Sequence, residues 1–266
     1  MRLKDRIAIV VGAGQSPGEG IGNGRATAIT FAREGARVLC VDRNLSSAQE
    51  TVDMISASGG TAAAFEADVT SENDIRAMVA DAQTRWGRID ILHNNVGVSL
   101  AGGDAELLAI TEEAIDRCVA INLKSCIFAA KHTIPIMRQQ ASGAIINISS
   151  MAAITTYPYV AYKATKSAMI AFTEQLAYQN AQYGIRANVI LPGLMNTPMA
   201  VDTRARAFHK SRAQVEAERD AQVPLGQKMG TAWDVANAAL FLASDEAKFV
   251  TGVTLPVDGG ASVRRG

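Results

Sequence analysis

The chain has 266 residues, with 26 Lys+Arg against 26 Asp+Glu, and is 48% hydrophobic and 20% charged. A balanced charge lacks the basic excess that drives binding to nucleic-acid phosphates, and the apolar content is far above that of a disordered chain. No run approaches ~18 consecutive apolar residues, so no membrane span is expected.

The elements are read in chain order. Ile7-Ala8-Ile9-Val10-Val11, bounded by Gly12, is β-branched and reads as a buried strand. Lying behind Met1-Arg2-Leu3-Lys4-Asp5-Arg6, it is too short for a signal-peptide core. Arg25 to Arg33 carries helical spacing and stops at Gly35; Val38-Leu39-Cys40-Val41 is the second strand. Ser46 can cap a helix to about Ser58, closed by Gly59-Gly60. Ala62 to Phe65 is a weak strand, and Ser71 with Asp74 caps a helix to Trp86. Ile89–Leu92, Ile145–Ile148 and Ala187–Leu191 are further strands, separated by long helices around Ile115–Gln139 and Tyr162–Tyr183, with a last strand at Val253–Leu255. Alternating strands and helices imply an α/β fold, a Rossmann-type doubly wound parallel sheet of about seven strands with helices on both faces. No linker or repeat interrupts the pattern, so residues 1–266 are read as one dinucleotide-binding catalytic domain. The stretch at about 195–226 is dense in mixed charge and poor in strand signals. It reads as a substrate flap or, on the competing reading, as a solvated surface helix.

Cys40, Cys118 and Cys126 are odd in number and show no CxxC spacing, which fits reduced thiols in a cytoplasmic protein. His93, His132 and His209 lie far apart, so no metal site is expected. Between the first strand and the first helix stand Gly12, Gly14, Gly18, Gly20, Gly22 and Gly24. Glycines there let the backbone approach a phosphate, while the helix N-terminus supplies oriented N–H groups. Asp42 ends the second strand, near the spacing expected for a carboxylate on a ribose 2′-hydroxyl. That favours NAD over NADP, since a 2′-phosphate would meet a like charge. The adjacent Arg43 could pair with that phosphate, and Asp42 could simply cap its strand. Asp68-Val69 and Asn95-Val96-Gly97 follow two further strands, where such a sheet opens to its ligand; Asp68 suits an adenine amino group. Tyr162 and Lys166 are four apart on one helix face. An ammonium near a phenol favours the phenolate, a competent base for an alcohol proton.

With these residues in place, the chain resembles the classical short-chain dehydrogenase/reductase family over nearly its whole length. The resemblance rests on the turn ending Gly20-Ile21-Gly22, His93-Asn94-Asn95-Val96-Gly97, Asn122, Asn147-Ile148-Ser149-Ser150, Tyr162-x-x-x-Lys166, Pro192-Gly193 and Asp258-Gly259-Gly260. It implies Tyr162 as general acid/base, Lys166 as the group that lowers its pKa and holds the nicotinamide ribose, and Ser150, rather than Ser149, as hydrogen-bond donor to the substrate oxygen. Asn122 would hold a water in a proton relay. Pro192, Gly193 and Thr197 would border the nicotinamide. The resemblance also implies a homotetramer, assembled through helices around 104–139 and 162–183. Two departures stand out. Val11 replaces the family's Thr, and the turn is longer by about six residues, either Gln15 to Glu19 or Asn23-Gly24 being part of the excess.

Met151, Ile154, Tyr157, Tyr159, Met195, Met199 and Phe208 fall in segments that flank the substrate in the resembling family. Together they suggest an uncharged alicyclic or aromatic secondary alcohol or ketone. Arg204, Arg206, Lys210 and Arg212 form a basic run that reads as a solvated helix, with an anionic substrate tail as the alternative. The leading expectation is an NAD(H)-dependent alcohol dehydrogenase or ketone reductase acting on a small molecule. The competing readings are an NADP-dependent 3-oxoacyl-thioester reductase and a dinucleotide-binding scaffold without turnover.

Overall fold

The computed structural model describes residues 1–264. Its strands are β1 Ile7–Val11, β2 Arg37–Asp42, β3 Thr61–Glu66, β4 Ile91–Asn94, β5 Gly143–Ile148, β6 Ile185–Pro192 and β7 Thr254–Val257. Its longer helices are α1 Asn23–Arg33, α2 Leu45–Ala57, α3 Glu72–Trp86, α4 Glu112–Val119, α5 Ser125–Gln140, α6 Val160–Asn180, α7 Asp202–Ala207, α8 Arg212–Asp220 and α9 Ala232–Ala243. The strands form one sheet in the order β3-β2-β1-β4-β5-β6-β7, every pair parallel. The order reverses between β1 and β4, which opens a crevice at the carboxyl ends of the strands.

Strand residues alternate between two cores. Ala8, Val10, Val38, Cys40, Ile146 and Ile148 pack against Phe31 of α1, Val52 and Ile55 of α2 and Val235 of α9. Ile9, Val11, Leu39, Val41, Leu92 and Ile145 meet Ile75 and Met78 of α3, Met137 of α5 and Leu176 of α6. Burial on both faces is why the strands read as continuous apolar runs. Among the described residues no helix is long and apolar enough to cross a membrane.

Several boundaries move from the sequence expectation. The fourth strand starts two residues later, because Ile89 gives its N–H and its carbonyl to the side chain of Gln140 rather than to a ladder. It then runs through His93 and Asn94, polar residues that sequence reading leaves to a loop. Asn94 fits there because its amide donates to Asn147 Oδ1 at 2.8 Å, and Asn147 donates to Thr173 Oγ1 at 2.8 Å. His93 is fully buried with neither ring nitrogen partnered, its edge on Phe31, and burial holds its pKa down to about 3. The second helix is capped by Asn44, which accepts from Ser47 N, and not by Ser46. Ser71 caps α3 as expected. The long central helix is interrupted by a π-helical turn at Ala120–Lys124, and residues 104–111 lie outside it.

The Asn94–Asn147–Thr173 chain ties β4 and β5 to α6, the helix that carries Tyr162. Asn147→Ala leaves the buried Asn94 amide without its acceptor. It is expected to lower stability by about 2–4 kcal/mol, about 5–10 °C in Tm, in a thermal melt.

Candidate active site

The turn from β1 to α1 opens the cleft. Gly12 has φ +83° and donates to Val41 O at 2.8 Å. A Cβ on Gly24 would stand 1.9 Å from Gly12 O, so Gly24 is the glycine that lets helix and strand approach closely. This shifts the expected register by two residues. Gly22-Asn23-Gly24, and not Gly20-Ile21-Gly22, leads directly into the helix, and the extra residues all precede Gly22. Ile21 packs on Ala26, Ala232 and Ala236, and neither Gly20 nor Ile21 lines the cleft. Gly12, Gly14, Gln15, Ser16, Gly22 and Gly24 do line it. The lengthened turn reaches the 195–226 segment instead: Arg206 donates to Pro17 O at 3.3 Å, and Glu19 lies 3.7 Å from Arg212.

The turn fits a dinucleotide phosphate. Gly22 is the N-cap of α1, has no side-chain cap of its own, and donates its N–H to Gln15 Oε1 at 3.0 Å. A side-chain oxygen thus stands where a helix N-terminus offers a place to a phosphate oxygen.

Asp42 is oriented by Gly14 N at 3.1 Å and Asn44 N at 3.0 Å, and with Arg43 it lines the cleft. Asp68 accepts from Thr70 N and Oγ1 at 2.8 and 2.7 Å. Those bonds hold its carboxyl below the usual range, with a smaller contribution from the charge of Arg43. Val69, Val96 and Gly97 border the same space. Asn95 Nδ2 holds Gly12 O at 3.2 Å, and a Cβ on Gly97 would meet Lys166 Nζ at 3.0 Å, so glycine keeps that ammonium reachable from the cleft.

At the next strand end, Ser149 is buried and its hydroxyl donates to Lys166 O at 2.7 Å. Ser150 is more exposed, and its Oγ accepts from Ala152 N. Tyr162 and Lys166 lie on α6, whose backbone N-terminus no local side chain caps. Asp104 caps it from the distant loop 104–111, accepting from Ala161 N at 2.9 Å and Tyr162 N at 3.0 Å. Lys166 is 2% exposed, donates to Ile148 O at 2.8 Å, and stands 5.7 Å from the Tyr162 ring centroid. Asn122 lies in the π turn. Its side chain accepts from Val98 N at 2.7 Å and donates to Val98 O and Thr165 Oγ1.

Burial dominates the electrostatics. It pushes the Tyr162 phenol up to about 12, against the Ser150 hydrogen bond and, more weakly, the charge of Arg204. It brings Lys166 down to about 8.

Pro192, Gly193 and Thr197 complete the floor; a Cβ on Gly193 would stand 2.5 Å from Asp258 Cβ. Met151, Ile154, Tyr157, Tyr159, Met195, Met199 and Phe208 all line the cleft. Tyr157 packs on both Tyr159 and Tyr162, with ring centroids 5.5 Å apart in each pair. The 195–226 segment contains α7 and α8, and Arg204, Lys210, Val215 and Arg219 from it face the same cleft.

Residues 17–262 match the family model described as enoyl-(acyl carrier protein) reductase. The chain belongs to the classical short-chain dehydrogenase/reductase family. It is 41% identical to a short-chain dehydrogenase/reductase of known structure from Burkholderia xenovorans, covering 100% of this chain and 99% of that one with a TM-score of 0.90. It is 36% identical to the 2,5-dichloro-2,5-cyclohexadiene-1,4-diol dehydrogenase LinX of Sphingobium indicum, over 98% of each chain. Levodione reductase, another solved structure, is 30% identical with a TM-score of 0.91, over 99% of this chain and 100% of that one. The chain is an oxidoreductase of the alcohol and ketone type, in a family that uses nicotinamide cofactors.

Sequence reasoning assigns the close-approach role to Gly20-Ile21-Gly22 rather than to Gly24, and it misses two further residues that shape this site. Asp104 carries no signal, because its partners lie 57 and 58 residues away. Arg219 is an ordinary charge in a charged helix until its burial is seen.

Lys166 also carries a stability cost. Its pKa falls from 10.5 to about 8, so burying the ammonium costs on the order of 3 kcal/mol below pH 8. The sign follows from the folded pKa lying under the unfolded one: the cost is full below about pH 8 and vanishes as pH rises to 10.5. Lys166→Met loses about 1 kcal/mol at the Ile148 carbonyl, so a net gain of about 2 kcal/mol is expected at neutral pH. Chemical denaturation should find that gain shrinking as the pH is raised.

Proposed function

We propose that this chain is an NAD(H)-dependent dehydrogenase/reductase interconverting an alicyclic or aromatic secondary alcohol and its ketone. The observation that carries the reading is the placement of Tyr162, Ser150 and Lys166 at one wall of a cleft whose far end presents Asp42 and the N-terminus of α1. Gly12, Gly14, Gly22, Gly24, Asn95, Val96 and Gly97 would shape the dinucleotide bed, with Asp42 on the adenosine ribose. Asp68 and Val69 would flank the adenine. Pro192, Gly193 and Thr197 would bound the nicotinamide end. A nicotinamide bound there accepts a hydride from the alcohol or supplies one to the ketone.

The side chains would handle the proton and the oxygen. In oxidation the Tyr162 phenolate takes the hydroxyl proton while Ser150 hydrogen-bonds the oxygen as negative charge develops on it. In reduction the Tyr162 phenol returns that proton. Lys166 holds positive charge beside the tyrosine and is reachable beside Gly97. Asn122 spends its side-chain amide on Val98 and Thr165, so any water it holds would sit on its main-chain carbonyl. A phenol held near 12 by burial implies oxidation that speeds up as pH rises, while the proton-donating form needed for reduction persists up to that value. Apolar side chains around Tyr157, Met195 and Phe208 support a cyclic substrate, as do the named substrate of the Sphingobium relative and the name of levodione reductase.

An NADP-dependent 3-oxoacyl-thioester reductase is the second reading, favoured by the acyl-carrier-protein description of the family model and by the exposed Arg43. Asp42 opposes it as a fixed carboxylate where a 2′-phosphate would lie. Tyr162→Phe is expected to lose about 10²–10⁴-fold in turnover while keeping NAD affinity. Steady-state assays and fluorescence titration should also give tighter binding of NADH than NADPH in the wild type. An active Phe variant, or tighter NADPH, would sink the reading.

A further inference from the structure

Arg219 of α8 is 9% exposed, lines the substrate end of the cleft, and bonds through Nε to Met229 Sδ at 3.3 Å. Among the described residues its two terminal nitrogens make no hydrogen bond, and no carboxylate lies within ion-pair distance. Arg204 of α7 is half-buried on the same wall and reaches only Ala200 O, at 3.0 Å. The segment does not lack acids. Asp202 and Glu216 are held by Arg212, and Glu218 by Lys210. Asp220 takes Met229 N at 2.8 Å. Arg212 and Lys210 are thus neutralised, Lys210 by a Glu218 that also lines the cleft, while among the described residues Arg204 and Arg219 have no carboxylate partner.

A guanidinium removed from water without an anion is costly, and such groups are normally paired. Its planar fork suits a carboxylate or sulfonate. Burial and the repulsion of Arg204 bring Arg219 down to about 10, while the phenol of Tyr157 and, less strongly, the carboxylate of Asp220 work the other way without pairing with it. Tyr157 packs on Tyr162, and the charge of Arg204 is felt at both Tyr159 and Tyr162. The two cations therefore belong to the substrate half of the cleft, on the opposite side from Asp42.

We propose that Arg219 and Arg204 form an oxyanion subsite, and that the substrate is an alicyclic or aromatic alcohol or ketone bearing a carboxylate or sulfonate. This rests on the dehydrogenase reading above and replaces the uncharged substrate expected from the apolar lining alone.

The test is NADH-dependent reduction of meta-acetylbenzoate, its methyl ester and meta-acetylbenzenesulfonate. In the wild type at least one anion should exceed the ester by about tenfold or more in kcat/KM. Arg219→Met should bring that ratio near one, and Arg219→Lys should leave it between the two. Whichever anion is preferred decides between carboxylate and sulfonate. A wild-type ratio near one overturns the proposal, as does a ratio that survives both Arg219→Met and Arg204→Met. So does a loss of NADH affinity in the variants with the ratio unchanged, which would assign the arginines to the cofactor. If Arg219→Met fails to fold, Arg204→Met, on a half-buried side chain, gives the same readout. If no ketone is reduced, the dehydrogenase reading fails separately. Calorimetric titration of benzoate and benzenesulfonate then reads the subsite alone: binding weakened about tenfold in Arg219→Met supports it, and no binding overturns it.

Discussion

Seven parallel strands impose one condition on everything else: their carboxyl ends all emerge on one edge of the sheet. Gly12, Asp42, Asp68, Asn95, Ser149 and Gly193 each stand at or just past a strand end, so residues spread over most of the chain meet along one cleft. The parallel arrangement also demands helices on both faces, and those helices start near the same edge. The α1 N-terminus reaches the dinucleotide end in this way. The α6 N-terminus, with Tyr162 in its first turn, reaches the other. The reversal of strand order between β1 and β4 is what leaves room between them.

Within that cleft, burial governs the chemistry. The phenol of Tyr162 and the ammonium of Lys166 are both pushed toward neutrality by the dry interior. The cost falls on stability, and it is offset by a rigid setting. Asp104 fixes the first turn of α6, Asn147 and Thr173 fix its middle, and the Ser149 hydroxyl fixes the Lys166 carbonyl.

Much of this was legible in the sequence, because apolar runs and glycine placement follow directly from burial and backbone geometry. The parallel sheet of about seven strands, the helices on both faces and the grouping of Tyr162, Lys166 and Ser150 needed only local patterns and a family resemblance. What escaped reading depends on contacts between distant residues. His93 and Asn94 look like loop residues until Asn147 supplies the partner that lets Asn94 enter a buried strand. The choice between the two glycine registers turns on Gly24, where a Cβ would stand 1.9 Å from a carbonyl twelve residues earlier, which no spacing rule reveals. Asp104 reads as the start of a helix, yet it folds inward to cap another. Arg219 stands between Glu218 and Asp220 in sequence, yet it is buried and both acids are engaged elsewhere, which only the folded chain reveals.

On the proposed reading, one cleft holds a dinucleotide from Asp42 to Tyr162. The most direct measurement is a crystal structure determined after soaking with NAD. Density is expected to run between these residues, with a ribose on the Asp42 carboxylate. A phosphate oxygen should replace Gln15 Oε1 on the Gly22 N–H, and the nicotinamide should lie beside Tyr162. Density with the adenosine at the Tyr162 end, or a Gln15 still bonded to Gly22 and no dinucleotide at saturating NAD, would contradict it.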